Sequence, residues 1–342
     1  MSLTVLSSSP MLTVQDRGRP GWRQYGVSAA GAMDPGALRL ANALCGNDAE
    51  AAALEFGGFG GRFNTERPLR FAVTGGACDI RVGERLLQPD ESHRLEPGEV
   101  LSIGALRGAT WGYIAFSGGI ATPEVMGARS THLRFGVGGL DGRRLQDGDA
   151  LPLQEDAPGP LLRAPAPVPS RAEQPIRVLA GPQDDYFDAT ILARLESEDF
   201  ALTAQRDRMA SVLDGPDLPA RGGHDIISDG TMPGAIQVPG SGKPIVLMAE
   251  CQTTGGYPKI ATVITADRPR LAQMPTGTRF RFARVTREEA EAALRQATGA
   301  LDARIASLAE KPADPFASDY LLSCDLVGGI FDPEALMEGG PS

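Results

Sequence analysis

Apolar and β-branched residues alternate with polar ones through short runs along the whole chain, and glycine or proline closes nearly every run. In the first half these runs are "LRFAVTGG", "CDIRVGERLL", "EVLSIGAL" and "WGYIAFSGG"; in the second they are "IRVLAG", "AIQVPGSGKPIVLM", "KIATVIT" and "RFRFARV". A period of two with frequent turn residues predicts the strands of barrels or sandwiches, not alternating βαβ units. "VPGSGKPIV" reads as a hairpin turning through Pro239, Gly240, Ser241 and Gly242. Helical periodicity is confined to three segments. "MDPGALRLANALCGN" has Asp34 as N-cap, Pro35 at the first helical position and Gly46-Asn47 as the stop. "DDYFDATILARLESE" sets Phe187, Ile191, Leu192 and Leu195 on one stripe, and "TREEAEAALRQATGALDARIASLAE" opens with a Thr286 to Glu289 capping box.

Between the two β-rich halves, "LPLQEDAPGPLLRAPAPVPSRAEQPIR" carries neither period. Pro165, Pro167 and Pro169 fall on alternate positions, which favours an extended, semi-rigid connection. The expected organisation is a first β-barrel domain over 1–160, a proline-rich linker over 161–175, a second β-barrel domain over 176–312 and an irregular tail over 313–342. The length of 342 residues suits two cores better than one, since single cores stop growing near about 250 residues.

Composition narrows the function. A net charge of −10 with no basic block opposes a phosphate backbone, so nucleic acid is not an expected partner. No run of about 18 apolar residues is present to span a bilayer, and the N-terminal stretch lacks the basic, apolar and small-residue pattern of an export signal. A cytoplasmic location is expected. Cys45, Cys78, Cys251 and Cys324 lie far apart, His93, His132 and His224 have no partner at metal spacing, and no metal site is expected. Of 33 basic residues only Lys243, Lys259 and Lys311 are lysines, so a lysine inside a motif stands out.

Several loops are candidates for chemistry. "PGSGKP" imitates the end of a phosphate loop, but Gln237 and Pro244 stand where that loop needs glycine and a hydroxyl, so a hairpin turn is the reading. "FGGFGGRF" reads as a bulged strand or turn. "TVQDRGRPGWRQYGVSAAGAMD" gathers Asp16, Arg17, Arg19 and Arg23, either as an anion clamp or as a neutralised surface network. "MGARSTHLRFGVGGLDGRRLQDGD" brings Arg129, Ser130 and further arginines to a glycine-rich loop, with the same two readings. "ECQTTGGYPKIATV" passes from polar residues through Gly255 and Gly256 to a strand; the glycines read as a turn with exposed backbone amides, and Pro258 as a block to pairing just before the strand.

Together with "LANALCGNDAEAAALE", "FSGGI", "GPQDD", "DRM" and "GAIQVPGSGKPIVLMAE", these segments resemble the biotin-dependent carboxyltransferase family, in order from Thr13 to about Phe282. That family includes KipA-like proteins, the C-type component of 5-oxoprolinase, the second component of allophanate hydrolase and the carboxyltransferase region of urea carboxylase. The resemblance implies a mainly β fold with a few helices, arranged as two cyclophilin-like β-barrel domains. It also implies two partners from the same enzyme, a KipI-like or B-type component and an A-type component. The implied activity is an ATP-dependent (with Mg) cleavage of 5-oxoproline to glutamate within a complex. The alternatives are biotin-dependent carboxyl transfer to urea or a related small amide, with biotin supplied in trans, and a KipA-like regulatory binding role.

For lactam cleavage the chemistry needs cations for developing phosphate charge, donors for an oxyanion and a carboxylate to orient a nucleophile. The expected catalytic residues are Lys259, Glu250 and Asp16. The expected substrate-binding residues are Gln252, Thr253, Thr254, Gly255, Gly256, Tyr257, Arg17, Arg129, Ser130 and Gln237.

Overall fold

The run "WGYIAF" shows how the first half is layered. In the computed structural model, which describes residues 2–156, 158–166, 174–221 and 223–311, all six of its residues are buried. They form β10 (Trp111–Phe116), the middle of a five-stranded antiparallel sheet. Its order is β2 (Thr13–Gln15), β3 (Ala53–Gly57), β10, β5 (Leu69–Thr74), β8 (Ser92–Leu95). On one face Ile114 and Phe116 join Phe56, Phe71 and Val73 against Leu3, Val5, Phe63 and Leu101 of a six-stranded sheet. That second sheet runs β11 (Ala150–Pro152), β1 (Ser2–Ser7), β4 (Phe59–Thr65), β9 (Leu101–Ala105), β6 (Ile80–Val82), β7 (Arg85–Leu87). On the other face Ala53, Ala72, Tyr113 and Ala115 pack under α1 (Pro35–Cys45), through Leu38, Ala41, Leu44 and Cys45. A strand buried on both faces loses its polar alternation, which is why this run reads as continuously apolar.

The helix caps fall where the residues place them. The Asp34 carboxylate accepts from Ala37 N at 3.1 Å, and Gly46 closes α1 in the left-handed region at φ 71°. Cys45, Cys78 and Cys251 are buried free thiols, and Cys324 and the tail lie outside the described residues. Of the linker, residues 167–173 lie outside them as well; β12 (Leu162–Arg163) precedes that stretch.

The second half is one eight-stranded sheet. Its order is β21 (Arg279–Phe280), β14 (Phe200–Arg206), β15 (Ala210–Asp214), β18 (Ile245–Leu247), β17 (Ala235–Gln237), β20 (Lys259–Val263), β13 (Ile176–Ala180), β22 (Phe282–Arg284). The expected hairpin is the β17–β18 pair. "RFRFARV" reads as one strand but is two. Residues before Arg281 pair antiparallel with β14 at one edge, and residues after it pair parallel with β13 at the other, so a single segment brings the two edges together into a nearly closed barrel. Separate from this sheet, β16 (Asp229–Gly230) and β19 (Thr254–Gly255) form a short antiparallel ribbon.

α2 (Ala189–Ser197) buries Ile191 and Leu195 with Phe187 just before it, and α4 (Arg287–Ala306) keeps its capping box. A fourth helix, α3 (Arg268–Gln273), was not signalled by periodicity, because its six residues make less than two turns. Its last residue ties the halves together. Gln273 Oε1 accepts from Trp111 N at 3.0 Å and Thr110 N at 3.3 Å, while Nε2 donates to Asp34 Oδ2 and to the Trp111 carbonyl, each at 3.0 Å. Both halves, up to Ala309, belong to one compact unit.

Candidate active site at the mouth of the second barrel

Lys259 begins β20, opposite Gln237 of β17, and only 2% of it is exposed. A buried ammonium needs a partner, and its Nζ donates to Asp229 Oδ2 at 2.9 Å. Gln183 braces the pair from both ends: its Nε2 donates to Asp229 Oδ2 at 3.0 Å, and its Oε1 accepts from Lys259 N at 3.2 Å. The Lys259 and Gln183 hydrogen bonds, with that from Gly230 N, lower Asp229 to about 2. The Asp229 carboxyl is therefore expected to titrate near pH 2 in a carbon-detected NMR experiment, and Lys259→Met is expected to return the midpoint toward the ordinary value of about 3.9. Because the folded value is the lower one, the pair's stabilisation is complete above about pH 3.9 and is lost as pH falls through about 2.

Beside this pair lie two facing amides. Gln252 Nε2 donates to Gln237 Oε1 at 3.2 Å, leaving Gln237 Nε2 and Gln252 Oε1 buried and without partners. Exchanging the nitrogen and oxygen of both amides preserves the pairing and still leaves one donor and one acceptor free. Gly255 is explained by this pair and not by a turn. It is extended in β19, has no positive φ, and a Cβ there would stand 2.4 Å from Gln237 Nε2. The expectation of a glycine turn exposing backbone amides is thus corrected: Gly255 pairs with Asp229 in the ribbon, and the Gly256 carbonyl accepts from Ile226 N at 2.8 Å. Thr253 O accepts from Thr231 N at 3.0 Å, Thr254 is a ribbon residue, and Tyr257 stands 41% exposed at the rim.

Arg23 reaches this site from the first half. Its guanidinium donates to the Thr231 carbonyl and approaches the Gln252 carbonyl at 3.5 Å, and its second nitrogen, Nη1, is buried without a partner. Neither Arg23 nor the pair Asp229 and Gln183 was among the expected site residues. The only sequence signals were their places in "PGWRQYG", "HDIISDG" and "GPQDD".

Glu250 sits where the halves meet and is 4% exposed. Arg208 Nε donates to its Oε1 at 2.5 Å, while the other Arg208 nitrogens reach Glu55 and, at 2.6 Å, the Gly31 carbonyl. Glu55 also accepts from Met33 N and from the Tyr113 hydroxyl, both at 2.7 Å. Burial works to lower the Arg208 value, but the two carboxylates outweigh it and hold the guanidinium charged. Glu250 Oε2 accepts from Leu133 N at 3.2 Å and stands 3.7 Å from His132 Nδ1, and burial pushes His132 below its ordinary value.

Asp16, Ser130 and Arg129 form a separate cluster in the first half. The Asp16 carboxylate accepts from Gly18 N at 2.7 Å, from Arg129 N at 2.5 Å and from the Ser130 hydroxyl, which fixes the loop between them. The Arg129 side chain pairs with Glu124, and Arg17 pairs with Glu50 where both are more than half exposed. Of the expected residues, the structure gathers Lys259, Gln237, Gln252, Thr253, Thr254 and Gly255 at one place. Glu250 clamps the halves, and Asp16, Arg17, Arg129 and Ser130 lie outside the mouth.

The chain belongs to the family of carboxyltransferase domains built from subdomains A and B, which it matches over residues 25–284. It is 39% identical over 290 residues to the C-type component of 5-oxoprolinase from Escherichia coli (strain K12), covering 84% of this chain and 93% of that protein. The corresponding component from Haemophilus influenzae is 34% identical over the same shares. Urea amidolyase of Lachancea kluyveri is 29% identical over 93% of this chain and 18% of its own length. The fold is that of the crystal structure of Kluyveromyces lactis urea carboxylase, with a TM-score of 0.80 at 24% identity, covering 88% of this chain and 29% of that one. Among the described residues no helix is long and apolar enough to cross a membrane, and no group of three or more His, Cys, Asp or Glu side chains is placed to hold a metal ion.

Proposed function

We propose that this chain is the C-type component of an ATP-dependent 5-oxoprolinase, cleaving 5-oxoproline to L-glutamate together with its A-type and B-type partners. The observation that carries this reading is the Gln237–Gln252 pair, which leaves one buried donor and one buried acceptor beside Lys259. A lactam offers the complement on one edge, a carbonyl and a cis N–H. Buried polar groups left unpaired cost about 1–3 kcal/mol each, a cost that a bound lactam relieves. Both atoms are buried, and Gly255 of the β16–β19 ribbon lies close against Gln237 Nε2.

Lys259 supplies fixed positive charge to the edge where the lactam oxygen gains charge, and its pairing with Asp229 keeps it in place until the ligand arrives. ATP with its magnesium, when bound in the complex, supplies the phosphoryl group that makes opening of the amide downhill. The turn around Gly242 and Lys243 does not fit a nucleotide, since Lys243 Nζ is held by Asp214, Asp217 and the Gly215 carbonyl. No step in this chain is assigned to the nucleotide.

The second reading is carboxyl transfer to urea or a related small amide, with carboxybiotin in trans. The same donor and acceptor suit a ureido edge, and the urea amidolyase similarity over 93% of the chain favours it. Reconstitution with both partners separates the two. The first reading expects ATP hydrolysis that depends on 5-oxoproline; turnover of urea with carboxybiotin, and none of 5-oxoproline, rejects it in favour of the second.

A further inference from the structure

A cleft of about 220 Å³ opens between the halves, and neither Gln237 nor Gln252 lines it. Its walls are small or apolar: Ala29, Ala32 and Met33 from the loop before α1, and Pro233, Ala249 and Pro269 from the second half. Two guanidinium groups, Arg17 and Arg268, line it.

Arg268 is the unusual one. It is partly buried at the start of α3, and its one hydrogen bond to protein is a long contact of 3.3 Å from Nη1 to the Pro233 carbonyl. Among the described residues every other well-buried arginine has a carboxylate or two carbonyls to hold it: Arg208 has Glu55 and Glu250, and Arg206 has the Met274 and Ala272 carbonyls. Among the described residues no carboxylate lies within 4.0 Å of Arg268. Burial lowers its proton affinity. A desolvated cation without a counter-charge is costly, and the fold keeps it here. Gly234, at φ 94°, makes room for it: a Cβ at that position would stand 3.1 Å from Arg268 Cδ. Among the described residues its Nε and Nη2 have no hydrogen-bond partner and are not sealed from solvent, and the side chain lines the cleft. Arg17 has only the exposed Glu50 as partner, a pairing worth little and readily exchanged.

We propose that this cleft binds a small organic monocarboxylate, its carboxylate on Arg268 with Arg17 closing over it, and its non-polar body against the alanine, methionine and proline wall. The assignment stands apart from the lactam reading. A carboxylate bound by charge-assisted hydrogen bonds fits the guanidinium fork, and the apolar walls select a hydrocarbon body over a fully polar anion.

The test is calorimetric titration of the full chain with four probes: cyclopentanecarboxylate, 5-oxoproline, 2-pyrrolidinone and inorganic phosphate. Cyclopentanecarboxylate is expected to bind, with 2-pyrrolidinone and phosphate weaker by about tenfold or more. Arg268→Met is expected to weaken cyclopentanecarboxylate by about tenfold or more, and so is Ala249→Leu, which fills the cleft and keeps both charges. Thermal unfolding of each variant checks that it folds; if Arg268→Met does not, Ala249→Leu decides. Absence of cyclopentanecarboxylate binding, binding that neither variant alters, or a preference for phosphate overturns the proposal. 5-Oxoproline, a ring monocarboxylate, is expected to bind and to be weakened by both variants, and its turnover in the reconstituted complex separates the two readings. Cyclopentanecarboxylate binding without 5-oxoproline turnover in the complex keeps the cleft and removes the lactam reading, and turnover with no carboxylate affinity in the cleft does the reverse.

Discussion

Replacing Arg208 with leucine is expected to lower the unfolding free energy by about 3–5 kcal/mol, read from the urea midpoint at neutral pH. The guanidinium is 2% exposed and spans both halves, meeting Glu55 of β3 and Glu250 of the segment before β19. Without it two carboxylates stay buried with only neutral donors: Met33 N and Tyr113 for Glu55, Leu133 N for Glu250. The penalty comes from this uncompensated charge more than from lost contacts. Adding Glu55→Gln and Glu250→Gln to Arg208→Leu should therefore recover a large part of the loss. A triple variant no more stable than the single one would show that Arg208 acts through packing instead.

Lys259→Met in the reconstituted complex is expected to lower kcat/KM by about 10²–10³, the range for removing one fixed stabiliser of developing charge. Methionine preserves much of the buried stem, so the urea midpoint should move far less than for Arg208→Leu. The same substitution frees Asp229, whose titration then reports whether the ion pair was broken as intended. Full activity together with a shifted Asp229 midpoint would remove Lys259 from the chemistry.

Much of the fold is legible in the chain because its signals are local. The alternation in "KIATV" gives β20, and Asp34, Pro35 and Gly46 bound α1 where caps require. Closure of the second barrel is not local. Arg281 divides "RFRFARV" between opposite sheet edges, and each part keeps the alternation of an ordinary strand, so nothing in the run marks the division.

The site follows the same rule. Lys259, Gln252 and Gly255 lie in one continuous segment and could be read together. Arg23 and the Gln252 carbonyl are 229 residues apart, and only the packing of the halves makes them neighbours. Asp16 and Glu250 show the opposite failing: a carboxylate in a motif looks reactive in sequence, whereas hydrogen bonds to Gly18 N and Arg129 N, or to Arg208, commit each to holding loops and halves in place.

The central claim is that the mouth built on Lys259, Gln237 and Gln252 serves lactam opening. Its most direct test is to measure glutamate and phosphate together in the complex of this chain with its two partners, supplied with 5-oxoproline and ATP. The account predicts glutamate rising in step with phosphate, and both falling together in Lys259→Met. Phosphate release without glutamate, or glutamate formation that Lys259→Met leaves intact, would contradict it.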